Sequence, residues 1–438
     1  MSSSDRWTAL IADLAALDAA DTDPERVDQL TTLERVKSAV AAAQVRITDA
    51  FAVSQRAKLV KLGTDSADAR RSITAQVGLA RRDSPFKGGR HVGLADTLVH
   101  EMPGVLKALE RGDTSEWRVT VVARETAHLS KEYRAEIDAA IADEMHAWGD
   151  ARTEREVKAW AQRLDPYGAA ERAAKAANDR RVSIRPAPDC MSYVTALLPV
   201  KDGCAVYGVL HRRAMAGAVD PNEHRGKGQI MADEFVRRIL TPAEGEPAEP
   251  GIELHLVMTD RTLCDADTEP AQLVGYGPIP APVARDLVRA DDKTKIWVRR
   301  LYTDPTTGDL AATDARKRDF PEVARAFLTA RDQICRTPWC GAPIRHADHA
   351  VAVAKGGETD LRNGNGRCGC CNLTKDLAGW ATLVEDGTIT TTTPTSHRHV
   401  SRPPKPPKSA SWPTKSGAGR PDIRIELHWP FTTVRSRR

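Results

Sequence analysis

Four cysteines in one short segment have the spacing of a metal site. Cys335 and Cys340 are separated by four residues, Cys368 and Cys371 by two, and the two pairs by 27. Two hairpin knuckles so spaced present four thiolates in a tetrahedron, which is how proteins hold zinc in a closed, structural site. Cys190, Cys204 and Cys264 are scattered. The first residues carry Asp5, Arg6 and Asp13 and do not read as a secretion signal, so crowded thiols read as metal before disulfide. Cys370 is a surplus thiol that competes with Cys371 for the fourth position.

Between and just after these pairs lie Asp348-His349, Asn363 and Asn372. Gly356-Gly357-Glu358-Thr359 precedes Asn363, and Lys375 follows Asn372. This constellation resembles the HNH nuclease motif, in the variant with asparagine at its last position. The resemblance implies a ββα-metal fold: a hairpin carrying Asp348-His349, a loop carrying Asn363, and a short helix starting near Cys371 that presents Asn372. It also implies a metal-dependent endonuclease acting on DNA, double-stranded by expectation.

Phosphodiester hydrolysis needs an activated water, neutralised charge at phosphorus and help for the leaving oxygen. His349 is the expected general base, because imidazole titrates near neutrality. Asp348 and the Asn372 side-chain oxygen are the expected ligands of one Mg2+ or Mn2+, an ion that keeps its other positions for water and phosphate. Asn363 is expected to fix the His349 loop by hydrogen bonds. Lys375, Arg367 and Arg345 are the expected phosphate contacts. His346 reads as a solvated neighbour, and Gly364-Asn365-Gly366-Arg367 as a loose, polar loop in which Asn365 could share the role of Asn363. A reading from another class keeps the zinc and the nucleic acid but not the cutting: a non-catalytic zinc-containing nucleic-acid-binding module in which Asp348 and His349 only pack the knuckle.

The resemblance extends upstream. Leu106 to Ser115, Leu164-Asp165-Pro166, Arg181 to Pro186, Asp189-Cys190-Met191, Gly275 to Ile279, Thr303 to Gly308 and Arg331 to Arg336 follow one another in an order that resembles an actinobacterial family in which domain of unknown function 222 (the 13E12-repeat family) precedes an HNH domain. Thr393 to His397 resembles that family's ending, with Ser396 where glycine is expected. The resemblance implies no mechanism for residues 1–330.

Elements must position these residues, and the chain is long enough for them. Its 438 residues carry 64 Lys+Arg against 60 Asp+Glu, with 41% hydrophobic residues, which is ordinary globular usage. No apolar run is long enough for a spanning helix, so no membrane partner and a cytoplasmic location are expected. Charge is uneven: residues 331–438 hold an excess of about +8, leaving about −4 before them.

The expected fold class is α+β: a mostly helical region over 1–165, a mixed α+β domain over 166–320, an HNH zinc-knuckle domain over 321–395, and a basic, Pro-rich tail over 396–438. Helical spacing marks residues 26–60, with Leu33, Val36, Val40, Ile47 and Phe51 as the apolar face and Thr31 and Glu34 as a capping box. Further helices are expected over 73–82, 94–110, 116–129, 133–148 and 154–164. Alternation predicts strands over 182–184, 191–197 and 252–258, and helices over 205–216 and 230–240. Asp386-Gly387 between two strand-like runs predicts a hairpin.

Overall fold

The computed structural model describes residues 3–217, 223–241, 254–264, 267–289, 320–385 and 387–404. The expected tail beyond 404 and the first two residues of the strand expected over 252–258 lie outside the described residues. The chain divides into two compact units, Met1–Ala170 and Glu171–Arg438.

The first unit is helical: α1 (Ser3–Ala15), α2 (Asp23–Lys61), α3 (Ser66–Ala80), α4 (Pro85–His100), α5 (Pro103–Arg111), α6 (Glu116–Thr126), α7 (Lys131–Ile141) and α8 (Asp150–Leu164), with α9 (Pro166–Ala176) running across the division. Past Pro24, no glycine or proline interrupts α2 over its 39 residues, and its capping box is Thr22 with Glu25. Thr31, the expected cap, instead lies inside the helix and donates to Val27 O at 2.9 Å. The buried face also differs from expectation. Ala41, Ala42, Val45 and Ala52 are buried, while Val40 and Ile47 are exposed. Small residues let α4 and α5 approach α2 closely, and Leu98, Met102, Val105 and Leu109 fill the space beside them.

Residues 94–110 form two helices, not one. Pro103 removes a backbone donor and crowds the preceding turn, so α4 ends at His100 and α5 restarts at Pro103. Likewise α7 stops at Ile141 and a 3-10 turn covers Met145–Ala147.

The second unit opens with the antiparallel pair β1 (Arg181–Pro186) and β2 (Ser192–Leu197), Arg181 opposite Leu197. Then follow α10 (Val200–Gly217), α11 (Lys227–Leu240), β3 (Leu256–Val257), α12 (Asp260–Cys264), β4 (Ala271–Leu273), β5 (Gly277–Ile279) and α13 (Ala281–Arg289). The sheet order is β3-β4-β5; Gly275 takes a positive φ in the β4–β5 turn, and Gly277 takes one at the first position of β5. After α14 (Glu322–Asp332) come the antiparallel pair β6 (His346–His349) and β7 (Gly364–Arg367), α15 (Gly369–Thr374), and a sheet of β8 (Ala381–Glu385), β9 (Thr388–Thr392) and β10 (Arg398–Ser401) in the order β10-β9-β8. The architecture is mixed α+β with a helical first unit. Among the described residues no helix is long and apolar enough to cross a membrane.

Candidate metal centre and the adjoining site

The first knuckle follows α14. Ile334 bridges Pro343, Cys335 N–H donates to Ala342 O at 2.9 Å, and Cys340 N–H to Thr337 O at 3.1 Å. The turn is tight enough to put Trp339 and Gly341 at φ of 59° and 62°. The second knuckle is the start of α15, where Cys368 is the N-cap and its Sγ accepts from Cys371 N–H at 3.4 Å. A helix N-terminus favours negative charge, so this position suits a thiolate.

Ligand atoms of Cys335, Cys340, Cys368 and Cys371 all lie within 4.8 Å of one another. Cys340 Sγ is 3.7 Å from Cys368 Sγ and 3.6 Å from Cys371 Sγ. A tetrahedron with Zn–S bonds of about 2.3 Å has edges of about 3.8 Å, so the four thiols fit zinc in number, chemistry and separation. All four are free thiols, and Cys370 is exposed outside the cluster. The fourth thiol of the cluster is therefore Cys371. Contacts from Cys340, then Cys368 and Cys371, hold the Cys335 thiol far below its ordinary value. The Cys371 thiol is pushed far up by Cys335, then Cys340 and Cys368. Four anions cannot share so small a space without a cation, and a divalent ion is what lets all four ionise.

The strand pair sits beside this cluster. Arg345 N–H donates to Arg367 O at 2.8 Å, and His346 to His349 pair with Arg367 to Gly364 in register. The glycines of β7 are a packing requirement. A side chain at Gly364 would meet Leu328 and Phe320 at 2.9 Å, and one at Gly366 would meet Ile344 at 2.4 Å. The expected loose polar loop is thus a strand buried along its whole length.

Asn363 closes the loop between the strands. Its Oδ1 accepts from Val351 N–H at 2.8 Å, and its Nδ2 donates to Val351 O at 2.9 Å and Glu358 O at 2.7 Å. Ala350 N–H donates to Asn363 O at 2.7 Å. Asn365 does something else: fully buried, it donates to Asp348 O at 3.1 Å and accepts from Arg367 Nε at 2.7 Å. It holds the backbone of Asp348 and does not share the loop bonds of Asn363.

His349 stacks on Phe320, with ring centroids 4.5 Å apart, and one ring nitrogen bonds Thr359 Oγ1 at 2.9 Å. Among the described residues Asp348 Oδ2 and Asn372 Oδ1 are buried oxygens that take no hydrogen bond, while Lys375 Nζ forms an ion pair with Asp348 Oδ2 at 3.0 Å. Arg367 and Lys375 have side chains only 4% exposed. Neither offers its charge to solvent as a phosphate contact is expected to, whereas Arg345 and His346 are exposed.

Sequence reasoning missed the group that ties the segment together. Asp332, fully buried, accepts from Gly366 N–H at 2.7 Å and Arg331 Nε at 2.8 Å, and pairs with Arg336 Nη1 at 3.2 Å. Arg336 continues to Ser401 Oγ at 3.1 Å and Gly387 O at 3.2 Å, joining α14, β7, the β8–β9 turn and β10. Burial lowers the Arg336 guanidinium from its ordinary value, and Asp332 opposes that shift. The four-residue spacing of Asp332 and Arg336 was the only signal in the sequence, and such pairs are common on helices.

The profile of a family described as a domain of unknown function, DUF222, matches residues 33–332. The chain belongs to that family. The matched span ends three residues before Cys335. No curated protein and no solved structure matches the chain.

Proposed function

We propose that the segment from Phe320 to Thr393 is an HNH-type, ββα-metal nuclease domain that hydrolyses DNA phosphodiester bonds with one divalent cation, stapled by a structural zinc on Cys335, Cys340, Cys368 and Cys371. The observation that carries the reading is two buried oxygens that take no hydrogen bond among the described residues, Asn372 Oδ1 and Asp348 Oδ2, the second of them met by the Lys375 ion pair. Buried acceptors without partners are costly, and a carboxylate oxygen and an amide oxygen are ligands that Mg2+ or Mn2+ accepts. When bound, the ion supplies positive charge to the phosphate and the leaving oxygen.

The chain's own residues do the rest. Thr359 and Phe320 hold the His349 imidazole in one orientation, which suits a base that takes a proton from the attacking water. Asn363 bolts the loop behind it, and Asn365 fixes the strand at Asp348. Zinc on four thiolates has no open position and stays out of the chemistry. A reducing, cytoplasmic location fits these free thiols.

The test is cleavage of supercoiled and linear DNA by the full chain at low salt with Mg2+, Mn2+ or EDTA, beside a folded, zinc-loaded His349→Ala. Divalent-dependent cutting that vanishes in the variant is expected; no cutting with any ion by the wild type rejects the reading. One observation favours the second reading, a non-catalytic zinc-containing nucleic-acid-binding module: Lys375 answers the Asp348 charge from within the chain. That reading expects DNA binding that ignores divalent ions and His349→Ala alike.

A further inference from the structure

Lys375 lies inside the candidate site, not at its surface. Its side chain is 4% exposed and its Nζ stands 3.0 Å from Asp348 Oδ2. Arg367 is further from that carboxylate, with Nε at 4.0 Å, and is engaged by Asn365. Asp376 is a second carboxylate near Lys375, at 3.4 Å, and is 57% exposed. α15, which carries Asn372, packs against β6, which carries Asp348. Of the two buried oxygens, Asp348 Oδ2 meets a positive charge, while Asn372 Oδ1 takes no hydrogen bond among the described residues. Burying an ammonium costs desolvation that only a close anion offsets, and the closer and more buried of its two carboxylates is Asp348.

We propose that Lys375 is the built-in counter-cation of Asp348, which a divalent ion must displace, so that Lys375 sets the cation threshold of the site. The inference rests on the reading of Asp348 and Asn372 as ligands. An ammonium and a divalent ion a few ångströms apart on one carboxylate repel each other strongly. Binding of the ion and the Lys375–Asp348 pair therefore exclude one another. Asp376 offers the displaced ammonium an exposed partner on the next residue, within reach of the flexible lysine stem.

Two measurements test this on the zinc-loaded full chain. The first is lysine acetylation of the wild type followed by mass spectrometry: Lys375 reacts slowly without Mn2+ and at least about tenfold faster at saturating Mn2+, as the ammonium moves out. The second is the free Mn2+ signal in electron paramagnetic resonance titrations: Lys375→Met binds Mn2+ at least about tenfold more tightly than the wild type, and Asp348→Asn loses binding. Labelling of Lys375 that does not change with Mn2+, or equal or weaker Mn2+ affinity in folded Lys375→Met, overturns the inference. So does an absence of Mn2+ binding by both proteins. Should Lys375→Met not fold, the wild-type labelling decides alone. Tighter Mn2+ binding without any DNA cleavage leaves the counter-cation in place and removes the nuclease reading; cleavage with unchanged affinity does the reverse.

Discussion

Asn363 makes three side-chain hydrogen bonds to the backbone of its own loop, and each of those backbone groups loses a partner if the amide is removed. Asn363→Ala is expected to cost on the order of 3 kcal/mol in urea unfolding of the second unit, because buried polar groups are left unpaired. Two other residues sit where the backbone favours glycine. Ser396 has φ of 65° in the turn before β10, and Trp339 has φ of 59° before Cys340. Replacing either by glycine removes the crowding of Cβ against the backbone. Ser396→Gly is expected to raise stability by about 1 kcal/mol, read as a higher melting temperature with unchanged zinc content. The glycine that the family resemblance expects at this position has this physical reason.

At the scale of elements, close approach and tertiary caps decide what the chain tolerates. Gly357 follows a 3-10 turn, and a side chain there would meet Val351 O at 1.8 Å and Asn363 Nδ2 at 2.7 Å. Gly357→Ala is expected to break the Asn363 bonds, seen as faster amide exchange at Val351, whereas Gly93→Ala, on an open face of α4, is expected to stabilise the first unit by about 1 kcal/mol in the same unfolding assay. α5 lacks a side-chain cap of its own. Asp138 of α7 supplies one, accepting from Gly104 N–H at 2.8 Å and Val105 N–H at 2.7 Å. Burial raises the Asp138 carboxyl above its ordinary 3.8, against those two bonds. A carboxyl raised in the folded state binds its proton more tightly there than when unfolded. Its contribution is therefore full below pH 3.8 and declines as pH rises through the higher folded value. Thermal melts of the wild type and Asp138→Asn across that window are expected to differ in slope, with the wild type losing relative stability as pH rises; parallel curves would reject the shift.

At the scale of the molecule, the two units have different sources of stability. The first buries a continuous apolar cluster from Ala41 to Ala161. The small C-terminal core has Phe320, Ala324, Phe327, Leu328 and Leu361, with the cysteine cluster and the Asp332–Arg336 network beside it. Small cores of this kind depend on a metal staple. Metal chelation is expected to unfold the segment that carries the cysteine cluster while the helical signal of the first unit persists, read by circular dichroism as loss of the C-terminal sheet signal before any helical melt. Arg336→Met is expected to destabilise the same segment, since it removes one of the two guanidiniums that pair with the buried Asp332 carboxylate and leaves Arg331 as the other.

The sequence by itself determined what depends on local spacing. Most helical segments of the first unit, the strand character of β1 and β2, the β8–β9 hairpin and the zinc-like spacing of Cys335, Cys340, Cys368 and Cys371 follow from period, turn residues and ligand intervals, which are short-range. The family likewise followed from short runs in a fixed order, and the profile match bears it out over residues 33–332. Tertiary structure alone decided which cysteine is surplus, because Cys370 and Cys371 are adjacent in the chain and point to opposite environments on the first turn of α15. It also decided that α2 buries alanines where larger apolar residues stay outside, and that Gly364 and Gly366 make a strand where two glycines suggest a loop. The partner of Lys375 is of the same kind. Asp348 is 27 residues away in sequence and 3.0 Å away in space, and charge pairing across that separation is set by how α15 packs on β6, which no local pattern encodes.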